Sequence, residues 1–137
     1  MVRERGALVI AGGGLAGCLA ALALAARRPE VPVLLVAQGE RFGGGHVWSF
    51  FDADVTDRWL VEPMIAKSWP SYDVCFPARE RTLATGYASL RSELLDRRVR
   101  EVLRPDQYRL GAAIAAVEAG AVVLAGGERI EGVAVVD

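Results

Sequence analysis

Between a short apolar run, Ala7 to Ala11, and an alanine- and leucine-rich stretch that begins at Leu15, the chain reads Gly12-Gly13-Gly14-Leu15-Ala16-Gly17. This is a G-x-G-x-x-G pattern, and its setting constrains the fold more than any other part of the sequence. An apolar run bounded by glycine suits a strand covered on both faces in a parallel sheet. Leu15 to Arg28 has no internal proline and ends in two arginines before Pro29, which predicts a helix with a stop. Val31 to Val36 is again apolar and largely β-branched, so strand, helix and second parallel strand follow one another, joined by a right-handed crossover. In that setting Gly12 permits the tight turn, Gly14 lets backbone approach a pyrophosphate, and Gly17 lets the helix pack closely on the strand. The helix N-terminus then offers unpaired amides and the positive end of its dipole to the phosphates. Gly12, Gly13, Gly14, Leu15, Ala16 and Gly17 are the candidate cofactor-binding residues. A glycine-rich turn without a ligand is the alternative, and the flanking elements count against it.

Folds of this type set an acidic residue at the end of the second strand, about 20 residues past the motif, to accept hydrogen bonds from ribose hydroxyls. Here the strand ends Val36-Ala37-Gln38-Gly39-Glu40. Gln38 is the candidate ribose contact, with Glu40 as the alternative if the chain folds back. Spacing alone leaves FAD and NAD(P) both open.

Gly6 to Ala26 carries no charge, follows the basic stretch Met1 to Arg5, and is long enough to invite two other readings. Leu15-Ala16-Gly17-Cys18 resembles a lipobox, but the apolar segment before it, Ala7 to Ala11, is shorter than the roughly 7 to 15 residues of a signal sequence. As a membrane span the run would carry Gly12, Gly13 and Gly14 in its interior, each costing about 1 kcal/mol relative to alanine. Neither reading is expected. With 137 residues, 53% of them hydrophobic, the chain can bury one core without disulfides. A net charge of -1 argues against a nucleic-acid partner. Cys18 and Cys75 are the only cysteines; both are expected to be small buried residues in a reducing cytoplasm.

From Gly39 to Thr85 periodicity fails while prolines, glycines and all three tryptophans appear, which predicts mainly loops with short helices or strands. Ser89 to Leu103 reads as an amphipathic helix, with Ser89 or Ser92 as cap and Pro105 beyond its end. Tyr108 to Leu110, Ala113 to Val117, Ala121 to Ala125 and Glu128 to Ile130 alternate with glycines as a β-meander, and Val133 to Val136 makes a last buried strand. The expected class is α/β: a Rossmann-like FAD/NAD(P)-binding fold with a parallel sheet, a β-meander and an irregular, aromatic-rich insertion at about 39–88, in partial form.

Beyond the glycine motif, Gly43-Gly44-Gly45-His46-Val47-Trp48-Ser49-Phe50 resembles the G-G-x-H-x-W-S-F segment of bacterial lycopene β-cyclases. The resemblance continues through Trp69 to Pro77 and Gly86 to Glu93 in the family's order, and so covers nearly the whole chain. It departs at Ala37, where the family usually has Glu, and at Gly45, where Asn is common. The resemblance implies an FAD-binding flavoprotein and adds Gly44 to the cofactor-binding candidates. It implies closure of the linear ends of lycopene into β-rings without net oxidation, with reduced flavin and NAD(P)H as reductant. An acid would protonate a terminal double bond and a base would remove a proton after ring closure. Lycopene or a related carotenoid is the implied partner, and a membrane hydrocarbon as substrate implies peripheral contact at the inner membrane for a chain expected in the cytoplasm. The family's catalytic acidic motifs lie downstream of the region represented here. Residues 1–137 therefore read as the N-terminal portion of the FAD-binding domain, and no catalytic residue is assigned. A general FAD or NAD(P)-binding oxidoreductase module and an inactive nucleotide-binding remnant are the alternatives.

His46 is the only histidine, too isolated for a metal cluster or a histidine-based triad, and is expected to be a hydrogen-bonded loop residue, with a role near flavin or substrate as the alternative. Trp48, Phe50 and Phe51 read as core of the insertion. Asp52, Asp54 and Asp57 read as a solvated loop face, and Arg97, Arg98, Arg100 and Arg104 as the exposed side of the amphipathic helix. No metal site is expected.

Overall fold

The structure is a computed structural model that describes residues 2, 3 and 6–137; Met1, Glu4 and Arg5 of the basic N-terminal stretch lie outside the described residues. A parallel sheet forms its centre, in the order β13 (Ala134–Val136), β2 (Leu8–Ala11), β3 (Val33–Val36), β9 (Tyr108–Arg109). Leu8 pairs with Val33 and Ala11 with Val36, and helix α1 (Leu15–Arg27) makes the crossover between those strands. The uninterrupted apolar runs have a plain cause. Ile10, Val33 and Leu35 face one way into a cluster with Cys18, Ala21 and Leu22 of α1 and with Leu95 and Val99. Val9, Leu34 and Val36 alternate to the other face, against Val122, Leu124 and Ile130. The layers are thus helices, parallel sheet and an antiparallel sheet.

That third layer is the meander, built by β10 (Ile114–Glu118), β11 (Ala121–Leu124) and β12 (Arg129–Glu131), with β1 (Val2–Arg3) added in parallel to β12. Tyr108 and Arg109 do not belong to it. They return from helix α3 (Ser92–Val102) through a 3-10 turn at Pro105–Gln107 and pair with Leu35 and Val36 at the edge of the parallel sheet. The last strand is not the buried one expected: β13 lies at the other edge, and Val133 and Val136 are 68% and 46% exposed.

Residues 39–88 hold far more sheet than expected. Strands β4 (Val47–Phe51), β8 (Tyr87–Arg91) and β5 (Ile65–Trp69) form an antiparallel sheet, and β6 (Tyr72–Phe76) and β7 (Arg79–Leu83) a hairpin. Helix α2 (Arg58–Val61) is a single turn. Phe51, Tyr72, Tyr87 and Trp69 join these pieces through ring contacts of 5.2 to 6.3 Å. The amphipathic helix starts three residues later than expected. Ser89 and Leu90 are strand residues, Ser49 and Ser89 share a hydroxyl hydrogen bond of 2.9 Å, and neither Ser89 nor Ser92 caps α3. No helix among the described residues is long and apolar enough to cross a membrane.

Candidate functional site

Four glycines at the mouth of the parallel sheet do four different things. Gly12 sits at φ +116°, a conformation that favours glycine, and its N–H donates to Val36 O at 2.8 Å. A Cβ on Gly17 would lie 2.1 Å from Gly12 O, so the helix could not approach the strand with any side chain there. A Cβ on Gly13 would lie 2.4 Å from the Ala37 Cβ. Gly14 differs: its φ is -77°, open to every residue type, and a Cβ there would meet nothing within 4 Å. Neither backbone conformation nor packing within the protein requires glycine at 14. The space its missing side chain leaves is the space a ligand would use.

Helix α1 begins at that point with no side-chain cap and no acidic residue in its first turn. Its ladder opens with Cys18 N–H donating to Gly14 O at 3.0 Å, which leaves the amides of residues 15 to 17 ahead of it. A cleft of about 430 Å³ runs from this N-terminus to the end of β3. Of the expected site residues, Gly13, Gly14, Leu15, Gln38 and Gly44 line it. Gly12, Ala16 and Gly17 line an adjoining, more apolar cavity of about 360 Å³ that shares Gly14 and Leu15 and is closed on one side by Val136 and Asp137. Glu40 lines neither cavity, and its carbonyl accepts from Arg100 Nη2 at 3.0 Å.

Ala37 is 1% exposed at the floor of the cleft, held by backbone bonds on both sides: its N–H donates to Arg109 O and its carbonyl accepts from Ala112 N–H. The glycine-rich loop beyond it is fixed by α3. Asp96 accepts from Phe42 N–H at 2.9 Å and from Arg100, while Gly43 N–H donates to Gly13 O at 2.8 Å. Gly43, at φ +80°, packs against Trp48, Leu95 and Ser92. Arg41, Gly43, His46 and Trp48 also line the cleft. Sequence reasoning missed Arg41 as a site residue; a cation two residues before the Gly43-Gly44 pair was the only hint.

His46 is exposed at the rim, and its ring rests 5.7 Å from that of Trp48. Only its main chain is bonded as a loop histidine's was expected to be, with the carbonyl accepting from Ser92 N–H. Trp48 and Phe50 pack on the helix-side core, half-buried, and Phe51 on the ring cluster. Among the described residues no cluster of histidine, cysteine and carboxylate could hold a metal. Two aspartates of the insertion are surface ion-pair partners, Asp52 with Arg58 and Asp57 with Arg27 at 2.6 Å. Cys18 is fully buried, where desolvation, and secondarily Asp96, push its thiol up to about 12. It donates to Gly13 O at 3.4 Å and so supports the loop from beneath. Cys75, expected to be buried, is exposed on the β6–β7 hairpin.

This architecture has known counterparts. The flavin-dependent halogenase Xcc4156 from Xanthomonas campestris superposes on 96% of the chain with a TM-score of 0.69 at 20% identity, over 41% of its own length, which is a likeness of fold. The lycopene beta-cyclase of Pseudescherichia vulneris is 39% identical over 133 residues, and that of a Paracoccus species 40% over 132; each match covers 95% of this chain and 34% of the relative. The chain therefore spans about a third of the length of the curated relatives it matches. The family described as "Lycopene cyclase protein" matches residues 7–137, from the first strand of the parallel sheet through the whole cleft, and the chain belongs to the lycopene cyclase family.

Proposed function

We propose that the cleft binds the adenosine diphosphate half of FAD, and that residues 1–137 are the N-terminal, FAD-binding portion of a flavoprotein that closes the ends of lycopene into β-rings. The observation that carries this reading is Gly14, a residue without a side chain for no reason internal to the protein, placed at an uncapped helix N-terminus. The amides of Leu15, Ala16 and Gly17 and the helix dipole stabilise the pyrophosphate. Gly12, Gly13 and Gly17 hold the loop in shape, Gln38 offers its amide to the ribose, and Gly44 keeps the opposite wall low. A flavin held there would supply charge stabilisation or proton transfer to the reaction. No carboxylate lines the cleft, so the acid of a cyclisation is not placed there. NAD(P)H is the proposed reductant and a carotenoid the proposed substrate.

Peripheral contact with a membrane is part of the same reading, at the cytoplasmic face. The hairpin supports it: cross-strand pairing puts Tyr72, Val74 and Phe76 on one face with Leu83, Arg81 and Arg79, and Asp73, Cys75, Glu80 and Thr82 on the other. Phe76 is 67% exposed near the tip. Tyr72 is packed on Phe51 and Tyr87, so the part of this face that suits anionic lipid is its tip, where Phe76 stands with Arg79 and Arg81.

The cofactor reading is tested by titrating the protein with FAD while following flavin fluorescence, with ADP as competitor. Saturable binding that ADP displaces is expected, because both ligands share the half the cleft recognises. Absence of binding, or FAD binding indifferent to ADP, would overturn it.

A further inference from the structure

The wall of the cleft that carries Gly43 and Gly44 has little shape of its own. Gly43, Gly44 and Gly45 follow one another at φ +80°, +63° and +131°, so three successive residues lack the steric restriction that a side chain imposes. Helix α3 supplies the restriction through positions four residues apart. Ser92 N–H, one of the free donors of the helix's first turn, donates to His46 O at 3.0 Å. Asp96 Oδ1 accepts from Phe42 N–H at 2.9 Å, and Arg100 Nη2 donates to Glu40 O at 3.0 Å. The loop is thus gripped on both sides of its three glycines. Arg100 Nε also donates to both oxygens of Asp96, at 3.1 and 3.0 Å, and its guanidinium lies 5.9 Å from the centre of the Phe42 ring. The carboxylate is therefore held in place for the Phe42 amide. With Phe42 fixed, Gly43 N–H reaches Gly13 O at 2.8 Å and joins this wall to the glycine motif opposite. Neither Asp96 nor Arg100 lines the cleft.

A free loop of this composition would have to be ordered by the ligand, and the entropy of ordering would be subtracted from affinity. A loop already held at three points escapes that cost. We propose that Asp96 and Arg100 are positioning residues for the cofactor: they hold residues 40–46 at the distance from the glycine motif that the ligand needs, without touching it. This role rests on the reading of the cleft as the site of the ADP half of FAD. It goes further in placing a determinant of affinity on a helix behind the cleft.

Calorimetric titration of the protein with ADP and with FAD, paired with amide hydrogen exchange of the ligand-free protein, tests it. Asp96→Ala should weaken both ligands at least about tenfold and speed exchange at the amides of residues 42–46, with exchange in β2 and β3 unchanged. Asp96→Asn keeps an oxygen for the Phe42 amide and should recover most of the affinity. Arg98→Ala, on the same helix but paired with Glu101 rather than with the loop, should alter neither affinity nor exchange. If Asp96→Ala does not fold, Arg100→Gln, a change at an exposed side chain, decides: severalfold weaker binding with faster exchange confined to the loop is expected, and parent-like affinity would overturn the inference. A folded Asp96→Ala that binds as the parent does, a loss of affinity accompanied by faster exchange throughout the parallel sheet, or an Asp96→Asn no better than Asp96→Ala would each overturn it while leaving the cofactor reading intact. A parent that binds neither ADP nor FAD would overturn both.

Discussion

Ala37 and Cys18 show how single residues set the properties of the cleft. Ala37 offers no acceptor to a ribose, so Ala37→Glu is expected to tighten FAD or ADP binding by roughly 10-fold to 150-fold, the equivalent of about 1.5 to 3 kcal/mol for a charge-assisted hydrogen bond. Its backbone is pinned to Arg109 and Ala112, so the new carboxylate would have to enter the cleft. No change in ADP affinity would mean that Gln38 already holds the ribose. Cys18 is a thiol that the fold keeps protonated, its pKa raised to about 12 from an ordinary 9.0. Its contribution to stability is full below pH 9.0 and is lost as pH rises toward 12. Urea unfolding between pH 8 and 11 should therefore show an alkaline decline that Cys18→Ala flattens, and a thiol reagent at pH 8 should label Cys75 but not Cys18 until the protein unfolds. Equal labelling of both would contradict the burial of Cys18. At this scale the glycine-rich turn was legible because Gly12, Gly13 and Gly17 each answer a fixed geometric demand. Arg41 was not, because a cation in a loop means nothing until the sheet and helix around it are known.

Among the elements, β2, α1 and β3 could be read directly, since a strand buried on both faces must be apolar at every position and a helix must stop before Pro29. The start of α3 could not. Leu90 and Leu94 have helical spacing, but Leu90 fills the core as a strand residue beside Ala88, and Arg91 turns the chain into the helix with extended backbone. The insertion was illegible for a related reason: Ile65-Ala66-Lys67-Ser68-Trp69 has no clean alternation, and its sheet is tied together by rings from four separate strands. The β6–β7 hairpin carries the exposed Phe76. Phe76→Ser together with Arg81→Glu is expected to reduce sedimentation with vesicles of anionic lipid severalfold while leaving ADP binding unchanged, because neither residue lines the cleft. Undiminished sedimentation would remove the hairpin as the membrane contact, and sedimentation with neutral and anionic vesicles alike would remove the electrostatic part of the argument.

In the molecule as a whole, the three layers bring the end of β3, the start of α1 and the glycine-rich loop into one cleft, and α3 holds that loop from behind through Asp96. Residues from distant parts of the chain line that cleft together: Gly13, Gly14 and Leu15 of the glycine motif, and Gly43, Gly44, His46 and Trp48 of the downstream loop and strand. A ligand seated across that cleft ties both walls together, so FAD should stabilise the folded protein, by about 2.7 kcal/mol at a hundredfold excess over its Kd. The most direct measurement is calorimetric titration of FAD into the parent and into Gly14→Val. Valine is compatible with φ -77°, and a Cβ at this position meets no protein atom within 4 Å, so the variant should fold as the parent does while its side chain occupies the proposed pyrophosphate position. The expected result is unchanged circular dichroism and unfolding midpoint with FAD binding lost; a folded Gly14→Val that binds FAD as tightly as the parent would show that the cleft does not hold the cofactor.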